Sequence, residues 1–433
     1  MENTDNDHID EYFSTARVTG RQGAIELPAD GYLNYLYDLD DPVLAGSRGM
    51  NYQEFAEDRY SAPFLQELLT YWDSLYREPF VGITSDGVVR EGLYDLPADG
   101  APTDPELVAA AEHVLAVLSP EEREQFTYQL DAPEWRAWSN PEFVIYRVGL
   151  RLEDLSDSTV DAILQLVRAS LSPEGYERVS EAMALNGFLG ELVDLPSVMN
   201  DRSYWVSLFG TPSATEPWGW QLFGHHVALN FVTVGGRHVV APVFIGAEPA
   251  LSDGERPPLF DAREQIAIEL AESLTEQQRE RAVIFDSVLD PSMPEGRLHP
   301  ADERHVAGAF RDNRVVPYEG IPASELNDTQ RALLRALAED FFLLLSAPQR
   351  EVTLSDFDAH IDETWFSWYG ATDGSQPFYF RIQSPVILAE LDHHAGVWLN
   401  NRLPARFHVH TTLRLPNGND YGRAYIAEAN TQK

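Results

Sequence analysis

The chain has 433 residues, 44% hydrophobic and 11% aromatic, enough to bury a large core in one or more domains. Seventy acidic against 31 basic residues leave a net charge of −39, and the lone lysine is Lys433; such a surface repels phosphate backbones, so nucleic acid is not an expected partner. No cysteine is present, which excludes disulfides, thiolate metal sites and a cysteine nucleophile.

No apolar run approaches the ~18 residues that span a bilayer. The opening MENTDNDHIDEYF lacks the basic-then-apolar order of a secretory leader. The expectation is a cytoplasmic protein without a membrane partner, its acidity suiting either a salt-rich interior or a genome that favours arginine codons. Oligomeric state is not readable from these features.

Residues 1–63 read as a polar extension. From Pro63, FLQELLTYWDSLY has helical spacing, and PFVGITSDGVVREGLYDL reads as a hairpin turning at Asp86-Gly87. Pro105 to Leu118 reads as a helix capped by Asp104. Five further helix starts share a leucine followed by Ser, Thr or Asn, at Leu118, Leu155, Leu171, Leu274 and Leu326. An acid or glutamine follows shortly in each, which is capping chemistry.

YWVSLFGTPSATEPWGWQL, from Tyr204, aligns without gaps with TWFSWYGATDGSQPFYFRI, from Thr364. Trp205, Ser207, Gly210 and Pro217 match Trp365, Ser367, Gly370 and Pro377, and each copy follows a helix start. This suggests an internal repeat, about 155–231 and 326–391, in which Trp218/Trp220 and Phe378/Phe380 face one core. The expected fold is α+β, a helical N-terminal part packed on antiparallel β-hairpins from two related halves. A single domain is expected over 64–425, with 426–433 as a tail; the alternative is two domains joined near 290–325.

Trp218 to Pro249 carries two β-prone runs separated by Gly235-Gly236, a hairpin pattern. His225 and His226 fall within the first run. On a strand they would face opposite sides, so one alone would reach a given site, and parity with Trp218 and Trp220 favours His226. Near the C-terminus, His408 and His410 are two apart, which on a strand offers two imidazoles from one face.

The motifs WGW…GHHVALNF, PVFIGAEP and HVH…R…NDYG resemble the family called domain of unknown function 3500, with weaker matches reaching back to PFVGITSDG. The resemblance implies a shared fold and site but no reaction. The shared polar positions are His225, His226, Glu248, Glu390, His408, His410, Arg414 and Asp420. His393 and His394, in the stretch DHHAGVWLNNRLP, depart from that pattern.

From the residues themselves, a mononuclear metal site is expected on one of His225/His226 with His408 and His410, zinc preferred over iron or copper. Glu390 would add an oxygen ligand or act as base. Arg414, on the parity of His410, would hold a carboxylate or phosphate. Asp420 and Glu248 would support ligands from behind, Glu248 reading more as a turn residue. His299 and His305 read as loop residues. The functional expectation is a metal-dependent hydrolase acting on a small polar or anionic substrate. The alternatives are a non-haem metal oxygenase using His408, His410 and Glu390, or a non-catalytic sugar or small-molecule binder presenting Trp205, Trp218, Trp220, Trp365 and Trp368.

Overall fold

Side-chain caps open the helices where leucine-led starts predict them. Ser119, Thr275 and Asn327 each form a reciprocal capping box, and Asp104, Ser156 and Ser172 each accept a bond from the first turn. The helices so begun include Asp157–Ser170, Pro173–Leu192 and Asp328–Phe341. The computed structural model describes residues 31–432 except 39, 97–101 and 252–256, so residues 1–30 of the expected extension lie outside it. Residues 31–63 are not a loose extension: the helix Tyr52–Ser61 buries Phe55 against Trp398, ring centroids 6.0 Å apart. Likewise residues 426–431 are no tail but continue the helix Arg423–Thr431.

The strands, in chain order, are β1 (Thr127–Tyr128), β2 (Leu150–Arg151), β3 (Tyr204–Gly210), β4 (Trp218–Gly224), β5 (Val227–Val234), β6 (Arg237–Ala247), β7 (Val283–Phe285), β8 (Ile321–Pro322), β9 (Trp365–Tyr369), β10 (Tyr379–Gln383), β11 (Leu388–His393) and β12 (Val409–Arg414). All twelve join one mixed, mostly antiparallel sheet of order β1-β3-β4-β5-β6-β12-β11-β10-β9-β7, with β2 on β3 and β8 on β9. The fold is α+β. β6 and β12 pair antiparallel at the centre, and the short parallel strands β1 and β7 close the two ends. The hairpin expected at Asp86-Gly87 does not form. Thr84 instead makes a parallel bridge with Val315, and its hydroxyl accepts the Gly87 N–H.

Cross-strand partners share a face. One row, Leu222–Leu229–Val243–Leu413–Ala389–Ile382, is apolar throughout. The helices cover this face: Phe341 packs on Phe380, and the Trp220 indole donates to the Ser170 hydroxyl at 2.8 Å. Trp218, Trp220, Phe378 and Phe380 lie in one core cluster that runs through both arms of the sheet. Among the described residues no helix is long and apolar enough to cross a membrane.

The opposite face is polar where β10, β11 and β12 present Arg381, Glu390, Asp392, Thr412 and Arg414, all buried. Residues 286–320 cover it and meet these groups one by one. Buried charge needs a partner, and Asp312 supplies one to two cations at once. It accepts from Arg136 Nε at 2.8 Å, Arg414 Nη1 at 2.7 Å and the Tyr421 hydroxyl at 2.9 Å. Asp312→Ala is expected to lose about 3–5 kcal/mol of stability, since it takes from the buried Arg136 its carboxylate and from the buried Arg414 one of its two. Urea unfolding measures this, and a loss below about 1 kcal/mol, within the range of ordinary substitutions, would contradict the account.

Candidate metal centre

The row Gly246–His410–Asp392–Tyr379 crosses β6, β12, β11 and β10 on the polar face. At its β6–β12 end, four other pieces of chain add imidazoles. His225 and His226 are not in a strand, as expected from alternation, but form the two-residue turn between β4 and β5, with Gly224 paired to Val227. The parity argument therefore fails, though His226 is the ring that reaches the site. Its carbonyl accepts the Gly246 N–H at 2.8 Å, and its N–H donates to Asn140 at 3.0 Å. His408 precedes β12, His394 follows β11, and the His394 N–H donates to the His408 carbonyl at 2.8 Å. His305 comes from the covering segment.

Gly246 makes the room. A Cβ there would stand 2.7 Å from His410 Cδ2 and 3.0 Å from His226 Cδ2, distances real Cβ atoms essentially never show or tolerate only if a neighbour yields. His226, His408 and His410 each bring one nitrogen, and these lie within 4.8 Å of one another. His305, Asp392 and His394 do the same with a second set of ligand atoms, again within 4.8 Å. The His394 and His410 rings sit 3.9 Å apart, so the two sets adjoin.

Hydrogen bonds assign some tautomers. His408 Nδ1 lies 2.7 Å from the Ala395 carbonyl, which only accepts, so Nδ1 carries the proton and Nε2 keeps its lone pair. That Nε2 faces His410 Nε2 at 3.0 Å. His225 stacks on His226 and donates from Nδ1 to Asn186 Oδ1 at 2.8 Å; it belongs to neither set. Burial and the nearby His408 push His225 down to about 3. Burial, then neighbouring imidazoles, holds His226, His394 and His410 well below the ordinary histidine value. These four rings are held toward the neutral form, the one that binds metals.

The expected carboxylates and arginine do other work. Glu390 accepts from the Tyr379 hydroxyl at 2.6 Å and from the Val306 and Ala307 N–H groups, so it anchors the covering segment and lies 3.8 Å from His305 Nδ1. Arg414 spends its donors on Ala307, Gly308, Asp312 and Asp420, and four residues from His410 it lies roughly 13 Å along the strand, too far to share a ligand. Asp420 bonds Arg414 and the Leu415 N–H rather than a histidine, and burial raises it to about 6 despite that guanidinium. Glu248 closes the loop after β11 by accepting the N–H groups of Val397, Trp398 and Leu399, with His408 Nδ1 3.9 Å away.

Asp392, His394 and His305 were not expected here. Asp392 and His394 share the i, i+2 spacing of His408 and His410, a signal available in DHH. His305 had none, because only the path of the covering segment brings it to Thr412, 2.8 Å from its Nδ1.

A family model described as protein of unknown function, DUF3500, matches residues 100–423. The chain belongs to the DUF3500 family. Neither a curated protein nor a solved structure matches it. The matched span of this DUF3500 chain takes in all twelve strands, every histidine of both sets and the stretch around His393 and His394 that departs from the motif pattern.

The metal-free chain is expected to lose stability on mild acidification. A histidine depressed in the fold contributes stability above its unfolded value near 6.5, and that stability drains as pH falls toward the folded value. Four such rings make the melting temperature fall between pH ~6.5 and ~5, above the range where ordinary carboxylates titrate. A melting temperature that stays flat across that window in calorimetry would refute the neutral, buried cluster.

Proposed function

We propose that this chain is a metal-dependent hydrolase that binds a divalent ion on His226, His408 and His410. The convergence of those three nitrogens carries the reading. Ligands at ~2.0–2.1 Å on a tetrahedral ion stand roughly 3.3 Å apart, and the 3.0 Å between His408 Nε2 and His410 Nε2 is close to that. The bond from His408 Nδ1 to a backbone carbonyl is the outer support that ligand histidines usually have. Three nitrogens leave an open position, and zinc bound there lowers the pKa of its water to about 7.

Glu303 replaces Glu390 as the candidate base. Its Oε1 accepts the Ala395 N–H at 2.8 Å and stands 3.7 Å from His394 Nδ1, and burial, outweighing the nearby Arg304, raises its pKa, the direction a base needs. For the substrate, Arg297 Nη2 is buried without a hydrogen-bond partner on the covering segment, and Arg311 Nε has only Asp302 Oδ2 at 3.7 Å, which supports an anionic group in place of the role first given to Arg414. The oxygenase alternative loses Glu390 as a ligand to its bonds with Tyr379, Val306 and Ala307. The sugar platform is disfavoured because Trp218, Trp220 and Trp368 are fully buried.

The same reading takes the two arms as related halves meeting at the site. The strand order is the same from either end to the β6–β12 pair. Gly210 and Gly370, with φ of +78° and +107°, are also equivalent in that a Cβ on either would crowd the Pro217 or Pro377 carbonyl, at 3.1 and 2.9 Å.

Chain purified without a histidine tag and dialysed against zinc is expected to retain the metal, and His408→Ala to lose at least tenfold in affinity, the upper effect of a lost ligand being larger. Hydrolysis of a panel of anionic esters should vanish on chelation and return with zinc. A wild-type chain that retains no metal would sink the proposal.

A further inference from the structure

We propose a second divalent-metal site beside the first, formed by His305, Asp392 and His394; it rests on the reading of His226, His408 and His410 as a metal site. The ligand atoms of these three residues lie within 4.8 Å of one another, and all three side chains are buried. Two nitrogens and one carboxylate oxygen suit a transition-metal ion of the zinc, iron or manganese kind.

The decisive atom is His394 Nε2. It is buried with no hydrogen-bond partner, on a residue 3% exposed. Asp392 Oδ2 stands only 3.1 Å away, yet the two are not aligned as donor and acceptor. A buried polar atom left without a bond costs roughly 1–3 kcal/mol. Two ligands of one ion, at bonds of about 2.1 Å and a near-right angle, would show roughly this separation.

The surroundings hold the set in place. Arg304 fixes the Asp392 carboxylate twice, from Nε to Oδ1 at 2.6 Å and from its backbone N–H to Oδ2 at 3.1 Å. A carboxylate has about four lone-pair positions, so Oδ2 retains one for a metal. Arg304 is thus a positioning residue, held in turn by Glu303 at 2.6 Å and the Val288 carbonyl at 3.0 Å. His305 Nε2 donates to the His410 carbonyl at 3.2 Å, which fixes the ring and leaves Nδ1, 2.8 Å from the Thr412 hydroxyl, as the nitrogen that would bind the ion in exchange for that hydroxyl. With the His394 and His410 ring centroids 3.9 Å apart and their planes tilted by 42°, both ions would share one chamber, the arrangement in which paired metals clamp the attacking and leaving oxygens of a hydrolysis.

The test uses tag-free full-length chain, stripped with chelator and reloaded with zinc, its metal counted by mass spectrometry and located by anomalous diffraction at the zinc edge. The expected result is about two equivalents and two adjacent peaks. His394→Ala and His305→Ala should each fall to about one equivalent, keeping the peak on His408 and His410. One equivalent in the wild type, lost in His408→Ala and untouched by His394→Ala, overturns the second site and leaves the first; Arg304, Asp392 and His394 would then be scaffold. Two equivalents that survive His394→Ala and His305→Ala also overturn it, since the second ion would sit elsewhere. No bound zinc at all overturns the first site and this one with it. Should either alanine variant fail to give a folded circular-dichroism spectrum, the number of peaks in the wild-type crystal decides.

Discussion

Everything at the candidate centre depends on the register of β6 against β12. That pairing sets Gly246 opposite His410, and the β11 pairing sets Asp392 opposite the same histidine. A slip of one residue would turn every side chain of β12 to the other face. His410, Thr412 and Arg414 would then meet the helices, and Val409, Thr411 and Leu413 would meet the polar covering segment. The apolar row of the helix-covered face therefore holds the polar row of the other face in place, because neither can move alone.

The polar face presents a second demand. Carboxylates and guanidinium groups buried on a sheet are stable only if each finds donors, acceptors or opposite charge. Residues 286–320 supply these with little regular structure of their own. Val306 and Ala307 present N–H groups to Glu390, Ala307 and Gly308 present carbonyls to Arg414, and Arg304 closes on Asp392. The segment that looked like a possible linker is thus bonded to the sheet along its length. It also delivers His305 to Asp392 and His394, so folding of the cover and assembly of that group are the same event.

Much of this was readable in residue order, for reasons that are local. Capping boxes and alternating apolar runs depend on neighbours within a few positions, so helix starts and most strands could be read from them. His408 and His410 were found through i, i+2 spacing. The errors arose where distance along the chain matters. Arg414 shares a face with His410, but spacing does not reveal that its donors are taken by Ala307, Gly308, Asp312 and Asp420. Asp86-Gly87 has the composition of a hairpin turn, but Thr84 finds its backbone partner at Val315. His225-His226 read as strand because Gly224 and Val227 flank it smoothly, and nothing local marks two histidines as a turn.

That turn has a further consequence. His226 sits at φ +65°, a left-handed conformation that glycine adopts freely and that costs other residues roughly 1–2 kcal/mol. Glycine would therefore be the more comfortable occupant, and a search for thermostable variants would tend to select it. Such a variant would fold better and lack an imidazole. The position marks a place where fitness for folding and retention of the histidine cluster pull in opposite directions, and a sequence optimised blindly for stability would lose that imidazole first.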